Sequence, residues 1–443
     1  MWLATAVTAF LSVLFGGGAA PGRFSDALVQ VAGLVLLAPT VWRLLHTERR
    51  ISGAGLPLLI LAAVLILPLL QLVRLPEAVW TVLPGRQVIA GTFVSAGIEP
   101  PWLPLSLDPA ATWRSFLSLI PASAIFLATL CLGRRGRRAL TLVFIGAAVL
   151  SAVLGLAQLQ GSSQFYLYSS GDSQGSVGLF ANRNHYTGLL YTMIPFTAAW
   201  LTHGLNLVER GPRQLSVATF IAIYAVLLLG LGLAHSRAGL VLGLVAALAS
   251  MTIVGSGRGN PARTGLILIA AASLFGMILI VQFGLFGILG RFEADLLGDA
   301  RITISRTTLQ AMYAYFPFGS GLGTFRPIFQ MFELPSDITS VYINHAHDDW
   351  LEGLLEGGLP AAVVEALFVF WFLSRSVTIW RDRSFRSFQI DTAIARAGAI
   401  AASLLLLHSF VDYPLRTTTL MCVLGFCLGL MIEPAKSAKG EFR

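Results

Sequence analysis

Apolar runs of about 20 residues, the length that spans a bilayer as a helix, recur along the chain. Val217–Ala234 is a representative run, unbroken by charge. The pattern predicts membrane helices near residues 2–18, 25–46, 56–72, 114–132, 139–160, 185–203, 216–235, 238–255, 264–288, 353–374, 395–411 and 417–433. The in/out alternation of a membrane barrel is absent, and backbone groups in lipid must be satisfied within their own segment, so helices are the expected answer. Three polar segments interrupt the runs: Val73–Trp113, Gly161–Asn184 and Leu289–Glu352. The expected architecture is an all-α polytopic bundle of about twelve transmembrane helices. It divides into N-terminal helices over 1–160 with a loop at 73–113, a core over 161–433 with a large, partly helical loop at 289–352 between helices 9 and 10, and a tail at 434–443. No internal repeat is visible.

Composition strengthens this reading. The 443 residues are 56% hydrophobic and 12% charged, about half the charge of a soluble domain, and the mean hydropathy is +0.76. The net charge of +8 does not indicate nucleic acid, because the cations sit in short loops between apolar runs and form no continuous patch. Cys131, Cys422 and Cys427 fall in apolar stretches, as small core residues do. The first run, Trp2–Phe15, lacks a basic leading region and reads as a first membrane helix, not a cleaved signal.

Charge also orients the chain. With the N-terminus inside, 19 of the 30 Lys and Arg residues fall in inner segments and 11 in outer ones. The inner set includes His46–Arg50, Arg134–Arg138, Arg210, Arg213, Arg258, Arg263, Arg375–Arg386 and the C-terminal tail. This bias predicts an inner-membrane protein with both termini cytoplasmic and the three polar segments extracytoplasmic.

The outer arginines run against that bias and need a reason. Arg183, Arg237, Arg301, Arg306, Arg326 and Arg416 lie near His185, His235, His345, His347 and His408, all at outer helix ends or in outer loops. A single arginine there is explained by snorkelling or by a nearby acid such as Asp299. A cluster suits a bound anion, since guanidinium stays charged and its forked donors match pyrophosphate oxygens. The richest segment is Asn344–Glu352, directly before the tenth helix. Imidazole titrates near neutrality, so a histidine there can act as a general base. The His-x-His-x-Asp spacing is half of a binuclear zinc motif, but Trp350 stands where a further histidine is needed. Asp348 and Asp349 read as caps of the helix that follows. Glu352 and Glu356 share a helix face, placed either to steady Arg301 or Arg306 or to solvate the helix start, while His408, Asp412 and Arg416 cluster at one helix end, either as ligand contacts or, for Asp412 and Arg416, as an ion pair. The glycines of Pro317–Phe325 permit either a close phosphate or sugar approach or a plain turn.

Together these segments resemble the O-antigen ligase and O-antigen polymerase superfamily of bacterial membrane glycosyltransferases. Phe180-Ala181-Asn182-Arg183-Asn184-His185 resembles the family's Asn-rich loop before a membrane helix. His235-Ser236-Arg237-Ala238-Gly239 is similar to its Ser-Arg-Gly helix end. The Arg301 helix followed by Pro317–Phe325 is similar to its arginine and Pro-x-x-Gly-x-Gly stretch. His347-Asp348-Asp349-Trp350-Leu351-Glu352 resembles its His-Asn-x-Tyr-Leu-Glu segment, with Asp348 in place of asparagine and Trp350 in place of tyrosine.

The resemblance covers roughly residues 160–420 and implies transfer of a glycan from an undecaprenyl-pyrophosphate donor at the periplasmic face. The acceptor is lipid A core for a ligase and another carrier-linked glycan for a polymerase. It implies His347 as the base and Arg237 and Arg301 as pyrophosphate holders, with Arg306 competing for the second arginine position. Arg306, His345, Arg183, Asn184, His185, Arg326, His408 and Arg416 are the expected substrate-binding residues. No cofactor and no metal is expected, since arginines can neutralise the departing diphosphate. A lipid-linked sugar transporter is the alternative from another class.

Overall fold

The computed structural model describes residues 1–18, 24–46, 51–160, 163–168, 175–206, 213–255, 262–274, 276, 278, 296–338, 342–381 and 389–434. The chain is all-helical, and the only sheet among the described residues is a two-residue antiparallel pair, β1 (Arg74–Leu75) with β2 (Leu103–Pro104). Among the described residues, seven helices are long and apolar enough to cross a membrane: α2 (Phe24–His46), α6 (Pro109–Cys131), α7 (Arg134–Gln158), α9 (Arg213–Leu233, apolar from Gln214), α10 (Arg237–Gly255), α14 (Asp349–Arg381) and α15 (Ile390–His408). Shorter apolar helices are α1 (Trp2–Phe15), α3 (Gly55–Gln71), α11 (Ala262–Leu274) and α16 (Thr418–Leu430). Each answers to one of the expected apolar runs. The far part of the expected 264–288 helix, the first residues of the 289–352 segment, most of the 434–443 tail and Arg50, Arg210 and Arg258 lie outside the described residues.

The remaining run forms α8 (Arg183–Asn206), which differs in kind. It is buried on nearly every face, packed among α7, α9, α10, α15 and α16. A helix surrounded by protein need not be uniformly apolar, provided its polar groups are satisfied. The hydroxyls of Thr187, Thr192, Thr197 and Thr202 therefore bond back to carbonyls three or four residues earlier, at 2.8–2.9 Å.

The helix ends sort into two groups. At one end Arg138 grips Asp391 through two bonds of 2.7 and 2.8 Å, joining the starts of α7 and α15. Arg137 donates to the carbonyls of Gly429 and Ile432, and Arg375 to that of Met431, at the close of α16. Free carbonyls at a helix C-terminus welcome such donors. Arg43 and Met1 meet at this end too. The opposite end holds the starts of α8, α10, α14 and α16 and the close of α15.

At that second end the polar segments form a lid of short elements. The 73–113 segment contributes α4 (Glu77–Trp80) and α5 (Gln87–Ser95); the 289–352 segment contributes α12 (Leu296–Tyr315) and α13 (Phe325–Phe332). Ile304, Ala311 and Tyr315 of α12 pack with Phe325, Ile328 and Phe329 of α13, Ala346 and Leu355 into a small separate core. This spacing is a helical apolar face laid on the start of α14.

Arg86 ties the two segments together. It is buried, donates to the carbonyls of Pro84, Leu105 and Gly319 at 2.7–2.8 Å, and lies over the Tyr315 ring. Burial pulls its pKa down to about 10 against a raising influence from Tyr315.

Candidate active site

α14 is broken where the site is built. Gly358 takes φ 59° and ψ −145°, two residues before Pro360. The loop 317–323 fills the break: Leu359 N–H donates to Pro317, and the N–H groups of Ser320 and Gly321 donate to the carbonyls of Leu355 and Glu356. Gln71 adds its side-chain N–H to the Glu356 carbonyl and accepts from Leu322 N–H. Irregular backbone among membrane helices persists where protein satisfies it in this way. Gly319 and Gly323 sit at φ 77° and 80°, and a Cβ at either would meet Glu356 or Ser115 within 2.5 Å. Their glycines thus serve a tight turn packed on protein, one of the two uses the sequence allowed.

The turn before α14 carries two histidines that touch Tyr413. His347 is in the left-handed region, φ 54°, an uncommon but tolerated state for histidine. Its Nδ1 lies 3.2 Å from Asp412 Oδ1, and its ring meets Tyr413 edge-on at 4.9 Å. His345 lies 4.5 Å from the same ring, with Nδ1 2.9 Å from Glu352 Oε1. Glu352 Oε2 accepts Ala346 N–H at 2.8 Å, which fixes the loop between the two imidazoles.

Asp412 is fully buried, between α15 and α16. Burial alone raises its pKa; the His347 hydrogen bond and the charges of His185, His347 and His408 outweigh it and hold the carboxyl well below the usual range. An ionised carboxylate only accepts, so His347 Nδ1 is the donor, which in the neutral ring makes Nε2 the acceptor. Asn184 donates to the other Asp412 oxygen and accepts from Ser236 Oγ at 2.7 Å, and Ser236 Oγ in turn accepts from Gly239 N–H at the start of α10. The Asn-rich loop, the Ser-Arg-Gly turn and the His347 segment therefore meet through one bonded chain that ends at the Gly239 N–H, two residues after Arg237.

Of the other expected residues, Arg301 is partly buried on the inner face of α12, and its charge is felt at His408, whereas Arg306 is exposed. His185 and His408 are completely buried. His408 bonds Tyr191 at 2.8 Å, and His185 stands edge-on to Tyr413 at 4.9 Å. His408 Nε2 also lies 3.9 Å from Asp412 Oδ2. Arg183 is partly buried at the start of α8.

Arg416 pairs with Glu356 at 3.0 Å, Glu352 at 3.4 Å and Asp349 at 3.5 Å. The expected Asp412–Arg416 pair is not made: Asp412 is turned to His347 and Asn184. Glu352 and Glu356 do share a face, but they hold Arg416 and not Arg301 or Arg306. Burial lowers the Arg416 pKa, and the three carboxylates more than reverse it, leaving it above its ordinary value. Of the two expected caps, Asp348 accepts the N–H groups of Trp350 and Leu351 at 3.0 Å. Asp349 instead ties α14 to Ser409 and to the Leu415 N–H.

A cavity of about 890 Å³ opens on the His345 side, between α2, α3, α6, α14 and α16. Asn344, His345, Arg326 and Arg416 line its upper part, and Ile60, Val64, Phe126, Phe368, Met421 and Leu424 its deep part. His347, Arg237, Arg301 and Arg306 are not among its walls. Among the described residues, no three His, Cys, Asp or Glu side chains converge as metal ligands.

Residues 222–365 match the family model described as O-antigen ligase. The match supports membership of the O-antigen ligase superfamily. The match covers 144 of the 443 residues, from α9 to the break in α14. Arg237, Arg301, the 317–323 loop and His347 fall within it; Asn184, Asp412 and Arg416, which complete the O-antigen ligase-like site in space, fall outside it. No curated protein matches the chain. Tyr413 and Arg86 were not among the expected site residues, and Asp412 was expected only as a donor contact or as the ion-pair partner of Arg416. Asp412 had one local signal, its i, i+4 spacing from His408 in an otherwise apolar stretch; Arg86 had none.

Proposed function

We propose that the chain is a glycosyltransferase of the bacterial inner membrane that moves a glycan from an undecaprenyl-pyrophosphate donor to an acceptor hydroxyl at the periplasmic face, in the manner of an O-antigen ligase. The observation that carries this reading is the His347–Asp412 pair at 3.2 Å, linked through Asn184 and Ser236 to the turn that holds Arg237.

The chemistry follows from the charges. His347 Nε2 takes the proton of the acceptor hydroxyl as its oxygen attacks the anomeric carbon. The new C–O bond forms as the anomeric carbon–phosphate oxygen bond breaks, and the lipid diphosphate leaves with the electron pair. Asp412 stabilises the imidazolium, and Arg237 and Arg301 neutralise the diphosphate. Arg301 is preferred over Arg306 because it faces the bundle. No metal enters this scheme. The same chemistry serves an O-antigen or exopolysaccharide polymerase, which differs only in acceptor.

His347→Ala is expected to abolish glycan transfer while the protein still inserts and folds; full activity in that variant removes the base assignment. Activity is expected to be equal with and without EDTA, and a strict metal requirement contradicts the scheme. A deletion strain separates the two acceptors: polymer lost from lipid A core indicates ligase, and accumulated single repeats indicate polymerase. The break in α14 and Glu365 on the cavity wall favour the transporter reading. That reading predicts glycan translocation that survives His347→Ala.

A further inference from the structure

α12 is apolar on two faces. Ile304, Ala311 and Tyr315 form the inner one, packed on α13 and the start of α14. Ile302, Leu309, Tyr313 and Phe316 form the other, and all four are exposed, Ile302 by 62% and Tyr313 by 70%. Successive spacings of seven, four and three residues put them on one stripe, with the exposed Arg306 in line between the first two.

This stripe continues a larger apolar surface. Gly85 lies on the Tyr315 ring, where a Cβ would come within 2.5 Å, and Arg86 donates to the Gly319 carbonyl. The 82–88 turn therefore borders the end of α12, and Val82 and Val88 are exposed there. Phe318, also exposed, follows Pro317, whose carbonyl accepts the Leu359 N–H. Leu359 opens the exposed row Leu359, Val363, Leu367 and Phe370 along α14, a helix long and apolar enough to cross a membrane. Lipid is the solvent of such a row. The apolar surface thus runs from the lipid-facing side of α14, through Phe318 and Phe316, onto α12, and no charged residue stands in the 316–323 loop between them.

A partner helix is the other occupant that such spacing suits. A coiled-coil seam is sustained over about three or four heptads, whereas Ile302 to Phe316 covers two and includes an arginine. Lipid accommodates both features. The arginine stem can lie on apolar surface with its head among phosphates, and a tyrosine ring suits the membrane–water boundary.

We propose that α12 is an interfacial helix: its Ile302–Phe316 stripe and the Val82 and Val88 side chains are sunk in the leaflet at this end of the bundle, with Arg306 on a lipid phosphate. The inference goes beyond the transferase reading and does not depend on it. It sets Arg301 on the protein side of a helix whose other side is lipid.

The test uses the full chain carrying Cys131→Ser, since Cys422 and Cys427 are buried. One added cysteine bears the fluorophore NBD, and the protein sits in phosphatidylethanolamine and phosphatidylglycerol nanodiscs. Tyr313→Cys, Leu309→Cys and Val82→Cys report on the surface, so that one variant failing to fold leaves two others. Phe370→Cys is the reference for the membrane interior. The surface labels are expected to emit blue-shifted from NBD in water and to resist reduction by dithionite. They should lose more fluorescence to a lipid with a headgroup nitroxide than to one with a nitroxide at the end of its acyl chain, and the Phe370 label should show the reverse order. Surface labels reduced as fast as free NBD-cysteine, and quenched by neither lipid, overturn the proposal: the face is then bare in a membrane holding this chain alone, as a docking face for another protein would be. Surface labels that follow the Phe370 order also overturn it, because the segment then lies in the hydrocarbon and not at the interface.

Discussion

The two histidines that touch Tyr413, His345 and His347, carry the same device in different electrostatic settings. Each is held at Nδ1 by a buried carboxylate, Asp412 for His347 and Glu352 for His345. His347 is joined through Asp412, Asn184 and Ser236 to the turn that carries Arg237. His345 lines a cavity where carboxylates outnumber guanidinium groups. Similar carboxylate–histidine pairs thus sit in different surroundings, and the proposed function gives proton transfer to the His347 pair.

The largest effect is expected where charge is most tightly balanced. Arg416→Ala leaves Glu352, Glu356 and Asp349 buried together without a cation, and should cost about 3–5 kcal/mol in thermal unfolding of the detergent-solubilised protein. Adding Glu352→Gln and Glu356→Gln should restore part of that loss; no loss at all would show that the surroundings of His345 are not organised by Arg416. Next come the arginines of α12. Arg301→Ala should lower transfer by about 10²–10³, and Arg306→Ala by no more than a few-fold, since an exposed charge contributes little. Equal losses would erase the distinction between inner and outer faces of α12.

The smallest effect concerns pH. Because the Asp412 pKa is depressed on folding, its contribution is fully present above the ordinary carboxylate range, near 3.9, and is lost only as pH falls toward the folded value. The gap in melting temperature between wild type and Asp412→Asn should therefore not narrow between about pH 7 and pH 5. A gap that closes over that interval would mean that Asp412 is not held as the anion His347 needs.

Local pattern made much of this visible. The apolar periodicity predicted a helix for each run, including α8, whose threonines keep a helical backbone despite their polarity. The histidines and arginines of one bundle end were singled out because charge at that end opposes the positive-inside bias. Partner choice was not visible. Arg416 meets Glu356 across 60 residues, and Gln71 reaches Glu356 across 285. Such pairings leave no periodic trace and depend on which helices become neighbours. The cavity was equally hidden, being a space left by five helices drawn from separate parts of the chain. The glycines of 317–323 signalled a turn, but not that the turn would fill a gap in α14.

The most direct test is a steady-state comparison of His347→Ala with His345→Ala, varying lipid-linked donor and acceptor separately. His347→Ala should lose about 10²–10⁴ in kcat, with little change in KM for either substrate. His345→Ala should keep most of kcat and raise KM. The opposite assignment, with kcat lost in His345→Ala and retained in His347→Ala, would contradict the assignment of the base to His347.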